Sequence, residues 1–288
     1  MRIRRLPVGA AAVIATVLAG LLTGAGPASA DQSWWLGPAP TQAGLAAASG
    51  PFATTSLTVS DAATPGFGAA TVHYPTDTSR GSFGGVAVVP GAGGRSTVAW
   101  LGQRLASEGF VVIVLDTTSR TDRPAARGAQ LLAALDYVTT ASLVSRRVDP
   151  RRLAVVGHST GGRGALEAAT SRPSLRAAVA LTPHSLDRTW PEVRTPTLVV
   201  GAAADRVAPV SLHAAAVHDG LTGARERAYL ELGGAGHLAP TRPDAAIGAA
   251  AVAWLKRFVD TDTRYTPFLC PGPPVATGVS AARTSCPV

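Results

Sequence analysis

The chain has 288 residues, of which 46% are hydrophobic and 15% charged, and carries a net charge of +8 at neutral pH. The positive charge is almost all arginine, Lys256 being the single lysine, and it is scattered along the chain. With no Lys/Arg run and no basic patch interleaved with aromatics, nucleic acid is excluded as a partner, and the arginines read as a solvated surface.

At the N-terminus, Arg2, Arg4 and Arg5 precede an apolar run over residues 8–22, and Ala28-Ser29-Ala30 supplies small residues for cleavage. This pattern predicts a secretory signal over residues 1–30. The run is too short and wrongly flanked for a membrane span, and no later stretch is apolar for long enough. The chain is therefore expected to be extracellular and without stable membrane anchoring; the Arg4-Arg5 pair leaves a twin-arginine export route open. Removing residues 1–30 takes away three arginines, lowers the net charge from +8 to +5, and leaves residues 31–288, a size that one α/β domain can occupy.

Residues 31–52 and the tail after Pro271 are loosened by Pro and Gly, and between them β-branched runs alternate with amphipathic ones. Strands are expected at 56–59, 69–74, 85–89, 110–115, 153–156, 177–181, 197–200 and 228–232. From the third onward they are solid apolar runs, as required of strands covered on both faces. Helices are expected at 97–108, 124–140, 160–171, 209–219 and 244–259, the second opening on Pro124. The alternation predicts an α/β fold: a mostly parallel central sheet with helices on both faces, no large lid, and an antiparallel edge made by the first two strands.

The chemistry begins at Gly157-His158-Ser159-Thr160-Gly161, a G-x-S-x-G motif between an expected strand and an expected helix. That context is the strand–turn–helix of a nucleophile elbow, which makes Ser159 the candidate nucleophile. A serine hydroxyl needs a base, and a neutral imidazole needs a carboxylate to hold its tautomer. In such folds the order is serine, acid, histidine. His237 follows the eighth strand in a glycine-rich loop and is the candidate base. Asp205 follows the seventh and is the candidate acid, with Asp187 as runner-up. Asp219 and Asp244 read as helix-terminal residues. His213 and His218 fall in an expected helix as surface histidines, and His158 reads as packing or bonding against a neighbouring strand.

Ester chemistry also needs donors for the tetrahedral oxygen, each worth about 3–4 kcal/mol when removed. The Thr160 N–H and the Ala92 N–H, in Pro90-Gly91-Ala92-Gly93-Gly94, are the candidates. That loop lacks the Lys-Ser/Thr ending of a P-loop, which argues against nucleotide binding. Water completes an acyl-enzyme cycle, so no cofactor is expected. Cys270 and Cys286, the only cysteines, favour one disulfide in an exported chain over two free thiols; their spacing suits no metal site.

These residues, together with Gly66-Phe67-Gly68, Ala99-Trp100-Leu101-Gly102, Leu131-Leu132-Ala133-Ala134-Leu135-Asp136-Tyr137, Val207-Ala208-Pro209-Val210 and Trp254-Leu255-Lys256-Arg257-Phe258, resemble the actinobacterial cutinases, polyester hydrolases and related triacylglycerol lipases of the α/β-hydrolase superfamily. The resemblance implies a triad on Ser159, Asp205 and His237, oxyanion donors on Ala92 and Thr160, and a Cys270–Cys286 disulfide. It implies an enzyme acting on ester or polyester substrates; a monomer is expected. Where that family lines its cleft with Tyr, Met, Trp, Ile and Phe, this chain has Ala92, Thr160, His184, Val207 and Leu238. Less aromatic surface implies a wider cleft that keeps activity on aliphatic esters and leaves activity on aromatic polyesters such as poly(ethylene terephthalate) open. His184 could instead bond a substrate carbonyl, and Arg163 stands where the family has a glycine. The calcium-binding carboxylates of many relatives are replaced by Ala203 and Gly233, so no metal site is expected. A non-catalytic binding protein on the same fold would typically lack a triad member, and none is missing; a secreted serine peptidase is a weaker enzymatic alternative.

Overall fold

The apolar runs become strands of one sheet because helices cover them on both sides. The computed structural model describes residues 1–2, 34–77, 79, 81–271 and 278–286. The chain forms two units, Met1–Gln32 and Ser33–Val288. Apart from residues 1–2 the first unit, and with it the expected signal, lies outside the described residues.

In the second unit the strands are β1 (Thr54–Val59), β2 (Ala70–Pro75), β3 (Phe83–Val89), β4 (Phe110–Leu115), β5 (Val148–His158), β6 (Ala177–Leu181), β7 (Thr197–Ala202), β8 (Arg227–Leu232) and β9 (Val279–Thr284). They lie side by side in the order β1-β2-β4-β3-β5-β6-β7-β8-β9. From β4 to β8 every pairing is parallel. β1, β2 and β9 join antiparallel at the two margins. All residues of β3, β4, β6 and β7 are buried, and each Val, Leu or Ile so covered contributes about 1.5–3 kcal/mol over leaving it exposed.

The helices are α1 (Gln42–Ala46), α2 (Ala99–Ala106), α3 (Pro124–Thr140), α4 (Thr160–Ser171), α5 (Ala214–Gly220) and α6 (Ala245–Phe258). Leu131 and Leu135 of α3, Leu166 of α4 and Val217 of α5 pack on one face of the sheet. Leu101 and Leu105 of α2 and Trp254 and Leu255 of α6 pack on the other. This is the α/β-hydrolase fold, mostly parallel and helix-covered on both faces.

Three expectations need correction. The tail contains β9, whose mostly exposed or half-buried side chains suit a margin strand, and α1 interrupts the loosened N-terminal stretch, capped by Thr41. The helix expected from 209 starts only at Ala214, because turns centred on Pro209 come first, with the Leu212 and His213 N–H groups donating to the Pro209 carbonyl. Not all arginines are solvated. Arg104, Arg127 and Arg152 are buried, each with its guanidinium satisfied by carboxylates or main-chain carbonyls. Lys256 is buried as well, its ammonium 2.6 Å from Asp260, which also receives Arg152 at 3.0 Å. Cys270 and Cys286 are joined in a disulfide with Cα atoms 5.7 Å apart, tying the end of β9 to the segment after α6.

Candidate active site

The carboxyl ends of β5, β7 and β8 bring together three side chains that are far apart in sequence. β5 ends at His158, and the chain turns sharply through Ser159, at φ 56° and ψ −121°, into α4. The turn is tight enough to forbid side chains at its flanks: a Cβ on Gly157 would lie 1.9 Å from the Gly161 carbonyl oxygen, and one on Gly161 would lie 2.4 Å from that of Pro90. The strain raises Ser159 clear of the strand at the start of a helix. Its main chain is held on both sides, since the Ser159 N–H donates to Leu181 and the His184 N–H donates to the Ser159 carbonyl at 3.0 Å.

His237 lies in the loop after β8 and Asp205 in the turn after β7. The Ser159 hydroxyl reaches His237 Nε2 at 2.8 Å, and His237 Nδ1 donates to Asp205 Oδ2 at 2.7 Å. Asp205 Oδ1 in turn accepts from the Val207 and Ala208 N–H groups at 2.8 and 2.7 Å, so both carboxylate oxygens are engaged. All three residues are buried, with exposures of 6–9%. A serine hydroxyl bonded to an imidazole that is oriented by a satisfied carboxylate can be deprotonated as it attacks a carbonyl carbon.

Thr160 is the first residue of α4 and follows Ser159 directly, so its N–H has no partner within the helix. Ala92 is exposed on the loop after β3. Its N–H meets no protein acceptor among the described residues. That loop runs against the nucleophile, since a Cβ on Gly91 would come within 2.8 Å of Ser159 Cβ.

The remaining expected residues divide. Val207, two residues after the acid, and Leu238, next to the base, are apolar side chains 59% and 64% exposed. His184 is half-buried and stacks on His213 at 4.9 Å with planes 23° apart. His213 and His218 are buried, against the expectation of surface histidines. His213 precedes the shortened α5, with Nδ1 2.8 Å from the Ser185 carbonyl, and His218 bonds Asp219; burial lowers the pKa of both. Asp187 sits in an exposed loop bonded to Thr189 and has no part in the cluster. Asp244 caps α6. Arg163 pairs with Glu167 at 3.2 Å over the Trp190 ring.

His158 is buried at the end of β5, beside Leu181 of β6, as a packing role requires. Its ring, however, bonds a loop and not a strand: Nε2 donates to the main-chain carbonyl of His237 at 3.1 Å. Thr182 Oγ1 donates to the same oxygen at 3.1 Å. Burial, the dominant cause, pulls the His158 pKa down to about 4, so the ring is neutral near pH 7. Thr182 carried no signal in the sequence, and His158 gave none of its partner, because the contact spans 79 residues.

Comparison with known proteins gives the chain's family. The model of the PET hydrolase-like family matches residues 28–287. Bis(hydroxyethyl) terephthalate hydrolase of Streptomyces coelicolor is 51% identical over 285 residues, covering 99% of this chain and 92% of the relative. Cutinase cut1 of Thermobifida fusca is 48% identical over 281 residues, covering 96% and 88%. Cutinase 2 of Thermobifida cellulosilytica is 49% identical over 256 residues, covering 87% and 97%. With a family match across nearly its whole length and relatives at about half identity, the chain belongs to the PET hydrolase-like family.

Proposed function

We propose that the chain is a secreted serine carboxylic ester hydrolase that cleaves aliphatic polyesters and short- to medium-chain acyl esters through an acyl-enzyme. One observation carries the reading: an unbroken hydrogen-bonded line from Asp205 through His237 to Ser159, with contacts of 2.7 and 2.8 Å. Ser159 Oγ attacks the ester carbonyl carbon while its proton passes to His237 Nε2. Asp205 stabilises the resulting imidazolium, and the Ala92 and Thr160 N–H groups receive the oxyanion. Collapse breaks the bond to the leaving alkoxide, which takes the proton from His237. A water, deprotonated by the same imidazole, then attacks the acyl-enzyme, releasing the acid and restoring Ser159.

The cutinase relatives support the aliphatic class. A second reading, a small aromatic diester as substrate, is favoured by the 51% identical relative named for bis(hydroxyethyl) terephthalate. Residues 1–30 act as an export signal and residues 31–288 as a single catalytic domain, working as a monomer. The arginine-led apolar run supports the first part, and among the described residues no helix is long and apolar enough to cross a membrane.

The test is p-nitrophenyl butyrate hydrolysis by the wild type and Ser159→Ala, extended to tributyrin, an aliphatic polyester film, bis(hydroxyethyl) terephthalate and an aromatic polyester film. Turnover by the wild type and none by Ser159→Ala is expected, with the aliphatic film degraded faster than the aromatic one. Equal rates for the two proteins, or turnover by neither, would sink the proposal. Faster release from the aromatic film would overturn the aliphatic preference.

A further inference from the structure

Arg127, on the first turn of α3, is 1% exposed and takes no part in the triad. Its guanidinium is spent on main-chain carbonyls. Nη1 donates to Pro90 at 3.0 Å and Gly91 at 2.7 Å, Nη2 to Arg120 at 2.8 Å and Nε to Asp122 at 3.0 Å. The nearby Asp122 carboxylate is occupied by Gln130, Thr118 and the Ser119 N–H. A buried guanidinium is costly unless its donors are satisfied, and here carbonyl oxygens of two loops satisfy them.

The bond to Gly91 has a directional consequence. The Gly91 carbonyl and the Ala92 N–H belong to one peptide plane, and among the described residues only Cys270–Pro271 is cis. In a trans plane the C=O and N–H point in opposite directions. Drawing the Gly91 carbonyl back onto Arg127 therefore turns the Ala92 N–H away from α3. That plane abuts Ser159, and the Ala92 N–H is left without a protein acceptor among the described residues. The Pro90 carbonyl, held by the same Nη1, also seats against Gly161.

Arg127 is itself fixed by a close helix contact. A Cβ on Gly164 would lie 2.9 Å from Arg127 Cβ, and one on Gly128 would lie 2.9 Å from the Gly164 carbonyl. α3 and α4 thus approach nearly backbone to backbone, and α4 begins at Thr160. One helix pair therefore governs both oxyanion donors.

We propose that Arg127 is a positioning residue for the oxyanion hole, gripping the Pro90 and Gly91 carbonyls so that the Ala92 N–H faces the oxygen that becomes negative during attack by Ser159. This rests on the reading of Ser159 as nucleophile and Ala92 as donor. The planar guanidinium is required, because a lysine ammonium on a flexible stem cannot span four carbonyls.

The experiment compares Arg127→Met, Arg127→Lys and Ser159→Ala with the wild type at 25 °C. It reads kcat and KM for p-nitrophenyl butyrate, the inhibition constant of an alkyl trifluoromethyl ketone whose hemiketal oxygen carries the oxyanion charge, and the melting temperature. Losing one aligned donor lowers kcat by about 10²-fold. Both Arg127 variants are expected to show a loss of that order, with KM little changed and the ketone weakened in proportion to the loss of kcat/KM. If Arg127→Met does not fold, Arg127→Lys, which keeps the charge and most of the bulk, carries the test. A lowered melting temperature with unchanged kcat and unchanged ketone affinity would reduce Arg127 to a structural brace and overturn the proposal, as would a kcat loss that leaves ketone affinity intact. Wild-type rates in Ser159→Ala would instead overturn the reading of the site itself.

Discussion

The main-chain carbonyl of His237 accepts two hydrogen bonds, one from His158 Nε2 at 3.1 Å and one from Thr182 Oγ1 at 3.1 Å. His158 ends β5 and precedes Ser159, while Thr182 follows β6, so the loop bearing His237 is fastened to the two strands that flank the nucleophile. The rings of His158 and His237 also lie 5.3 Å apart.

Removing either bond should loosen the imidazole without touching substrate. His158→Phe and Thr182→Val are each expected to lower kcat on p-nitrophenyl butyrate by about tenfold, the equivalent of one net hydrogen bond of about 1.4 kcal/mol, with KM nearly unchanged. Steady-state kinetics checks this, and a pure KM effect would contradict it.

The buried His158 also makes a pH signature. Its folded pKa of about 4 lies below the 6.5 of a free histidine, so the unfolded chain binds the proton more readily. This contribution to stability is full above pH 6.5 and is lost as pH falls from 6.5 to about 4, with an upper size of about 3 kcal/mol. Melting temperatures measured between pH 4 and 7 should therefore fall more steeply for the wild type than for His158→Phe. Parallel curves would remove the effect.

Much of the architecture was legible in the sequence because buried parallel strands announce themselves as apolar runs and glycines mark the turn at Ser159. What was not legible depended on distant partners. β9 hides in a polar tail because only Val279 of its six residues is fully buried. His213 reads as an exposed helical residue because the turns after Pro209, which delay α5 and place its ring under His184, have no strong local signal. A buried Arg127 cannot be told from a surface arginine until the loop it holds is seen. The exposed Val207 and Leu238, by contrast, lie two residues after the acid and one after the base, and the family resemblance pointed to them as cleft positions.

The half-buried His184 on its His213 platform supplies little apolar area to a substrate ring. His184→Trp should stack on the same platform and enlarge the aromatic surface, where aromatic pairs add about 0.5–1.5 kcal/mol beyond area. The ratio of bis(hydroxyethyl) terephthalate to p-nitrophenyl butyrate turnover is expected to rise by about three- to tenfold. An unchanged ratio would show that His184 does not face the acyl group.

Stability away from the site should respond without loss of chemistry. Asp260 is fully buried between Lys256 and Arg152, and Arg152 also pairs with Asp149 at 3.3 Å, so Asp260→Asn leaves the buried Lys256 ammonium without a carboxylate partner. The expected cost is about 3–5 kcal/mol, read from denaturant unfolding, with kcat at 25 °C retained if the protein folds. A change under 1 kcal/mol, as at an exposed pair, would contradict this role.

The most direct trial of the central claim is covalent labelling: the protein is treated with an alkyl fluorophosphonate, and the adduct is mapped by mass spectrometry alongside residual esterase activity. A single adduct on Ser159, formed in step with loss of p-nitrophenyl butyrate hydrolysis and abolished in His237→Ala, is the expected result. Labelling of another residue, or full labelling of Ser159 with activity undiminished, would contradict it.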